Sequence, residues 1–217
     1  NFRQALSLKP DYAEVHGNLG NTLKELKRLD EAEASYRQAL SLKSDSAEVH
    51  YNLGITLNEQ GKLNEAEASL RQAIALKPDY AEAHSNLGNA LGQQGRLNEA
   101  EASYRQALSL KPDPAAHYNL GITLNEQGKL NEAIESLREA IALKPDYDKA
   151  HFNLGITFKE LGRLDEAVES YVSNIVVVKK EVKSSDEVRV DYQNKAIEKY
   201  NLRSKEYREK GNIIFSN

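Results

Sequence analysis

The chain of 217 residues contains no cysteine, no methionine and no tryptophan. The lack of cysteine excludes disulfides, thiolate metal sites and cysteine nucleophiles. No apolar run approaches the roughly 18 residues that a membrane span needs. The chain also lacks a phosphate-binding glycine loop, a nucleophile elbow and a metal-ligand spacing. We therefore expect no catalytic activity, no cofactor, no metal and no membrane partner.

Charge gives no sign of a nucleic-acid partner. The net charge is -4 and the isoelectric point is about 5.8. Residues 1–175 carry 19 basic and 26 acidic side chains, whereas residues 176–217 carry 10 and 7. Nucleic-acid and anionic membrane surfaces attract basic proteins, so we expect a protein or peptide partner instead.

The sequence His-x-Asn-Leu-Gly occurs five times, and its glycines are spaced by 34, 34, 33 and 34 residues. A period in this range indicates one supersecondary unit stacked on copies of itself. The five motifs begin at His16, His50, His84, His117 and His151.

Each repeat contains two apolar stripes with helical spacing. His16, Leu19, Gly20 and Leu23 form the first stripe, and a second begins at Leu29. The connection is so short that the two helices must pack antiparallel. A glycine ends the first helix in four copies and fits a left-handed backbone, so Lys27 in the first copy predicts strain. The glycines that end the first helices are Gly61, Gly95, Gly128 and Gly162.

Gly20 and its equivalents lie inside the first helix, where glycine costs about 1 kcal/mol relative to alanine. A cost repeated in every copy indicates that the two helices approach closely there. Proline ends several of the second helices, and Pro114 fits the first turn of the helix that follows the one-residue deletion.

These residues resemble the tetratricopeptide repeat (TPR), whose signature runs Trp, Leu-Gly, Tyr, Ala, Phe, Pro over 34 residues. Histidine stands in the Trp position, and Leu-Gly is kept in all five copies. The second-helix aromatic is Tyr36, Tyr104 and Tyr171, or leucine at Leu70 and Leu137. The chain is most similar to bacterial TPR arrays and to the TPR arm of O-GlcNAc transferases. This resemblance implies an all-α, right-handed superhelical solenoid whose first helices line a concave face.

The predicted organisation has three parts. Residues 1–12 match the second half of a truncated repeat, which suggests a fragment of a longer protein. Five repeats follow at 13–46, 47–80, 81–113, 114–147 and 148–181, the last of them degenerate. Residues 182–217 form a tail with a helix at about 186–210, which we expect to cap the array and to lead into a further domain.

A finer pattern alternates between copies. Residues 50–66 and 117–133 are identical, while copies one and three share other segments. The duplicated unit is therefore a pair of repeats.

An asparagine recurs on the expected concave side of the first helix, and it resembles the asparagine ladder of O-GlcNAc transferases. A carboxamide both donates and accepts, so a row of them can hold the backbone of an extended peptide. The alternative is that these side chains only bond to the neighbouring copy. The candidate binding residues are Asn18, Asn52, Asn86, Asn119 and Asn153, with Asn21 and Asn89 beside them.

Apolar pairs spaced i, i+4 lie beside this row in other copies. Such exposed apolar spots mark partner sites, although an adjoining repeat or the tail could cover them instead. The pairs are Tyr51 with Ile55, Tyr118 with Ile122, and Phe152 with Ile156.

Two other interpretations are rejected. Equivalent histidines on packed helices lie about 10 Å apart, too far for one zinc ion that binds nitrogen at about 2 Å. The carboxylate clamp of chaperone-binding TPR proteins needs cations, whereas this chain has Gly17, Glu82 and Asn86 at those positions.

The function that we expect is a protein-interaction scaffold that binds a peptide or a protein segment on its concave face. A first alternative is the substrate-recognition arm of a larger enzyme, such as a glycosyltransferase. A second alternative is self-association through the repeat ends.

Overall fold

A computed structural model describes residues 12–181, and the regular secondary structure in this part of the chain is α-helix throughout. Ten helices form five pairs, with a first and a second helix in each repeat. The all-α repeat architecture is therefore confirmed. The truncated repeat at the start and the tail helix at about 186–210 lie outside the described residues. Within residues 12–181, no helix is long and apolar enough to cross a membrane.

The first helices are α1, α3, α5, α7 and α9, and the second helices are α2, α4, α6, α8 and α10. Their bounds are α1 Ala13–Glu25, α2 Leu29–Leu42, α3 Ala47–Glu59, α4 Leu63–Leu76, α5 Ala81–Gln93, α6 Leu97–Leu110, α7 Pro114–Glu126, α8 Leu130–Leu143, α9 Asp148–Glu160 and α10 Leu164–Glu181. Two compact units divide between Leu143 and Lys144, so α1–α8 belong to the first unit and α9–α10 to the second.

In the first unit, apolar area is buried both within helix pairs and between neighbouring pairs. Each second helix contacts the next first helix, and successive first helices touch along one side. One core cluster combines Leu23 and Tyr36 of the first pair with Leu53, Leu57 and Ala66 of the second. Since each cluster draws residues from adjacent repeats, no repeat encloses a core of its own.

The helices of a pair meet at the glycine inside the first helix. A Cβ built on Gly88 lies 2.7 Å from Cε1 of Tyr104, which is itself buried. A Cβ on Gly54 lies 2.6 Å from Cγ of Leu70, so the smaller residue fills the same place in the alternate repeat. The expected close approach is confirmed, and the residue that requires the glycine is the aromatic or leucine of the second helix.

The turn inside each pair has the expected left-handed residue. Gly61, Gly95 and Gly128 have φ angles of 76°, 75° and 75°, and Lys27 has a φ of 58°. Lysine in this region pays the steric cost that glycine avoids. Its ammonium lies 3.0 Å from Glu59 Oε2 but is 74% exposed, so the ion pair offsets little of that cost.

Side-chain caps begin two of the first helices, α3 and α7. Pro114 is the first residue of α7, as predicted, and the amide of Ala116 donates to Asp113 Oδ2 at 2.7 Å. Ser46 caps α3 by accepting from the Val49 amide at 3.4 Å.

A ladder of ion pairs joins the second helices, which the sequence analysis did not predict. Glu33 accepts from Arg37 Nε at 2.9 Å and from Lys62 Nζ at 2.6 Å in the next repeat. The hydrogen bond from Lys62 holds the pKa of Glu33 below its usual range. In the fourth repeat the position of Glu33 is taken by Ile134, which is 2% exposed. Equivalent groups are Glu67 with Arg71 and Arg96, and Glu101 with Arg105 and Lys129.

The histidines are half-buried side chains at the repeat boundary. Nε2 of His50, His84 and His151 lies 3.0 Å from a carbonyl oxygen six residues earlier, to which it donates. His117 differs because the preceding 33-residue repeat lacks the turn that carries this carbonyl. Its Nδ1 is buried without a hydrogen-bond partner, and burial lowers the pKa of the ring despite the opposing charges of Glu139 and Asp113.

We expect the free energy of unfolding to decrease as the pH falls below the ordinary histidine pKa of about 6.5. The unfolded chain then binds a proton that folded His117 resists, so this contribution is complete above pH 6.5 and is lost toward the lower folded pKa. Denaturant unfolding at pH 7.5 and 5.5 measures the loss, and it should be smaller in His117→Gln. Equal losses in both proteins would assign the effect to other groups.

Substitutions in α5 test the close helix contact. We expect Gly88→Ala to destabilise the protein by about 1–3 kcal/mol, because the new methyl group overlaps the Tyr104 ring. Gly92→Ala is the matched control, since its Cβ meets only the Ala100 Cβ at 4.0 Å. It should stabilise the helix by up to about 1 kcal/mol. Thermal unfolding compares the two, and equal effects would contradict a steric role for Gly88.

Candidate functional site

The recurrent asparagines of the first unit lie on consecutive first helices, where these helices touch. Lys24 Nζ donates to Asn52 Oδ1 at 2.9 Å, across from the first repeat to the second. Asn86 Nδ2 donates to the Tyr51 hydroxyl at 3.3 Å, and Asn119 Nδ2 donates to Asn89 Oδ1 at 2.9 Å. The carboxamides therefore bridge neighbouring repeats, which is the alternative considered above.

Bridging uses only part of the hydrogen-bonding capacity of these side chains. Asn86 donates both of its N–H groups, the second to the Glu82 carbonyl oxygen, but its Oδ1 accepts only from Asn89. Asn119 uses one of its two N–H groups in the bond to Asn89. Asn18 is exposed. A carboxamide has two donors and two acceptor lone pairs. Groups for an external ligand thus remain along the row.

Asn153 belongs to the second unit and is described separately. Its Nδ2 donates to the Lys149 carbonyl oxygen at 2.9 Å, one turn earlier in α9. Phe152 beside it is 49% exposed, and its ring centroid lies 5.8 Å from that of Tyr171. Phe152 is thus an exposed apolar side chain, whereas Ile156 is half-buried.

Asn21 and Asn89 have a packing role that the sequence analysis did not predict. The Tyr36 hydroxyl donates to Asn21 Oδ1 at 2.8 Å, and the Tyr104 hydroxyl donates to Asn89 Oδ1 at 2.7 Å. Repeats two and four carry leucine in place of this tyrosine and Ile55 or Ile122 in place of the asparagine. In repeats one to four the alternation therefore keeps a matched pair, because a buried hydroxyl needs a partner and a leucine does not. Repeat five departs from this pattern, since Tyr171 stands with Ile156.

Tyr51 is a bridging residue and not simply an exposed apolar spot. It is half-buried against the core cluster of the neighbouring repeats, and its ring centroid lies 4.7 Å from that of Tyr80. Burial raises the pKa of the Tyr51 phenol. Tyr118 and Ile122 occupy the equivalent positions in α7 and are also half-buried. The adjoining repeat thus covers much of the Tyr51 side chain, as the alternative interpretation held.

Two equivalent pockets open beside the asparagine row. The pocket between repeats one and two has a volume of about 280 Å³, and the pocket between repeats three and four, which Tyr51 of repeat two also lines, has about 250 Å³. Gly17 and Ser85 line them at the position that Tyr51 and Tyr118 occupy in the other repeats. The first pocket is also lined by Asn18, Asn21, Lys43, Ser46 and Asn52, and the second by Asn86, Asn89, Lys111, Asp113 and Asn119.

Charged groups stand at the edge of each pocket. Lys111 Nζ lies 2.9 Å from Glu82 Oε1, and this hydrogen bond lowers the pKa of Glu82. Lys43 and Glu14 are the equivalent residues of the first pocket. Sequence reasoning missed both lysines because they follow the second helices and do not lie on the first helices. The glycine and serine at the motif's variable position were the signal that could have revealed the pockets.

The residues 12–181 contain no group of three or more His, Cys, Asp or Glu side chains that could hold a metal ion. The site offers hydrogen-bonding groups, apolar walls and charged groups.

Antiparallel helix pairs with a 34-residue period, an internal Leu-Gly and a matched aromatic define a TPR protein, a class of protein-interaction scaffolds. The model of the family described as Cilia and flagella-associated protein 70 C-terminal domain matches residues 2–187, and the chain belongs to this TPR family.

Solved TPR proteins share the fold. A crystal structure of MamA is 26% identical, with a TM-score of 0.72, and the match covers 76% of this chain and 97% of that chain. MamA 41-end from Desulfovibrio magneticus RS-1 is 20% identical, with a TM-score of 0.74 and coverage of 79% and 97%. YrrB is 24% identical, with a TM-score of 0.69 and coverage of 81% and 91%. No curated protein matched the chain.

A double-mutant cycle tests the pairing of Asn21 with Tyr36. We expect Asn21→Ile alone to cost about 1–3 kcal/mol, because it leaves the buried Tyr36 hydroxyl without an acceptor. Tyr36→Leu combined with Asn21→Ile recreates the pair of repeats two and four, so the double variant should be more stable than the sum of the single losses predicts. Denaturant unfolding measures all four proteins. Strict additivity would contradict the coupling.

Proposed function

We propose that the chain binds an extended peptide or protein segment along the face formed by its first helices. The observation that carries this proposal is the row of carboxamides at one position of successive repeats, with hydrogen-bonding groups left over after the internal bridges. An extended peptide exposes backbone donors and acceptors along its length, which such a row can pair. The internal bridges support binding, because they hold the side chains in place before the ligand arrives.

The relatives support the same interpretation. YrrB is described as a TPR protein with an unusual peptide-binding site. The pockets next to the row supply concave space with apolar walls, which side chains of a bound segment can fill. Specificity then comes from the pockets, and sequence-independent affinity comes from the carboxamides.

A displayed library of random 12-residue peptides is the direct test. Peptides selected on the purified chain are measured by fluorescence anisotropy against the wild type and the triple variant Asn52→Ala, Asn86→Ala, Asn119→Ala. We expect at least a tenfold loss of affinity, which equals about 1.4 kcal/mol. Thermal unfolding of each variant shows whether the fold persists.

The matched control removes three carboxamides from the exposed side of the second helices. The control variant carries Gln38→Ala, Gln72→Ala and Gln106→Ala. These glutamines are exposed and occupy equivalent positions in α2, α4 and α6. This variant should bind as the wild type does. Equal affinity in both triple variants would remove the asparagine row from the binding site.

A further inference from the structure

The repeats alternate between open and filled interfaces. At the interface between repeats two and three, Tyr51 and Tyr80 occupy the space between the first helices with their rings 4.7 Å apart. The corresponding residues are Gly17 and Ser46 between repeats one and two, and Ser85 and Asp113 between repeats three and four. The two pockets are therefore the places where this tyrosine pair is missing.

The interface between repeats two and three shows how a tyrosine side chain is held between neighbouring first helices. The Tyr51 ring packs against the core cluster, and its hydroxyl accepts a hydrogen bond from Asn86 of the next repeat. Asn52 and Asn119 take the place of Asn86 in the two open interfaces, and both line the pockets. Asn119 still has an N–H group to donate after its bond to Asn89.

The pockets have space next to the small residues that line them. A Cβ built on Gly17 meets only Val49 Cγ2, at 3.5 Å, which is ordinary van der Waals contact. The second pocket has alanine walls at Ala81, Ala107 and Ala116. Its volume of about 250 Å³ exceeds the roughly 30 Å³ share of one water molecule several-fold.

The charged residues that line the pockets indicate the charge of the ligand. Glu14, Glu48 and Lys43 line the first pocket, so its formal charge is -1. Glu82, Asp113 and Lys111 give the second pocket the same charge. Residues 1–175 are acidic as a whole, with 19 basic and 26 acidic side chains. A basic peptide complements this surface.

We propose that the two open interfaces are paired tyrosine receptors for one extended, basic peptide. This inference rests on the proposed function and specifies its ligand. Neighbouring first helices pack about 8–10 Å apart, so pockets two repeats apart are separated by about 16–20 Å. An extended chain advances about 3.3 Å per residue and turns alternate side chains to the same side. Tyrosines about six residues apart on the peptide therefore reach both pockets.

The probe is the synthetic peptide Lys-Ala-Tyr-Lys-Ala-Ser-Lys-Ala-Tyr-Lys with a fluorescent label, measured by anisotropy. Gly17→Tyr and Ser85→Tyr fill the pockets with the residue that repeats two and four carry at the same position. Each substitution should weaken binding at least tenfold, and replacing either peptide tyrosine with alanine should do the same. Moving the second tyrosine by one residue should weaken binding by a similar factor.

Unfolding curves establish that the filled variants remain folded, and the Gln38, Gln72 and Gln106 triple variant provides the surface control. Absence of binding by the probe at millimolar concentration overturns the tyrosine proposal. Binding that survives both filled pockets overturns it as well. Loss of affinity of library-selected peptides in the asparagine triple variant, with no effect of Gly17→Tyr or Ser85→Tyr, would retain the proposed function and reject the tyrosine receptors.

Discussion

The contact between the glycine of each first helix and the large residue of its second helix is the constraint on which the structure depends. The missing Cβ lets Tyr36, Leu70 or Tyr104 lie against the backbone of the partner helix. That approach brings the apolar stripes of neighbouring pairs within reach of one another, and the shared clusters bury them. Glycine has a low helix propensity, but the close packing that it allows contributes more to the stability of the fold.

The choice of tyrosine or leucine at this contact affects the surface. In repeats one to four, Asn21 and Asn89 accompany Tyr36 and Tyr104 and accept from their hydroxyls, whereas Ile55 and Ile122 accompany leucine. The same two-repeat period alternates Gly17 and Ser85 with Tyr51 and Tyr118. Core and surface therefore share one pattern, because both belong to the same duplicated pair of repeats. The pockets recur every second repeat for this reason.

Polar groups at the repeat boundaries link adjacent repeats of the first unit in addition to the apolar core. Carboxamides bridge the first helices. On the second helices, Glu33, Glu67 and Glu101 each form ion pairs with an arginine of their own helix and with a lysine or arginine of the next repeat. Such half-exposed pairs contribute little singly, about 0.2–1 kcal/mol each. Their repetition adds the same polar contact at successive repeat boundaries.

Local periodicity was enough to predict the helix pairs, the left-handed turn at Lys27 and the close contact at Gly20, since each follows from the spacing of residues within one repeat. The family resemblance implied the face on which the candidate binding residues lie. Which side chains meet across repeats could not be read from the sequence, because those pairs lie about 28–35 residues apart. Only the tertiary structure revealed that Asn21 and Asn89 serve the core, that Tyr51 is bridged to Asn86, and that small residues leave pockets. These outcomes depend on how neighbouring helices share space, and a single helix pattern does not contain that information.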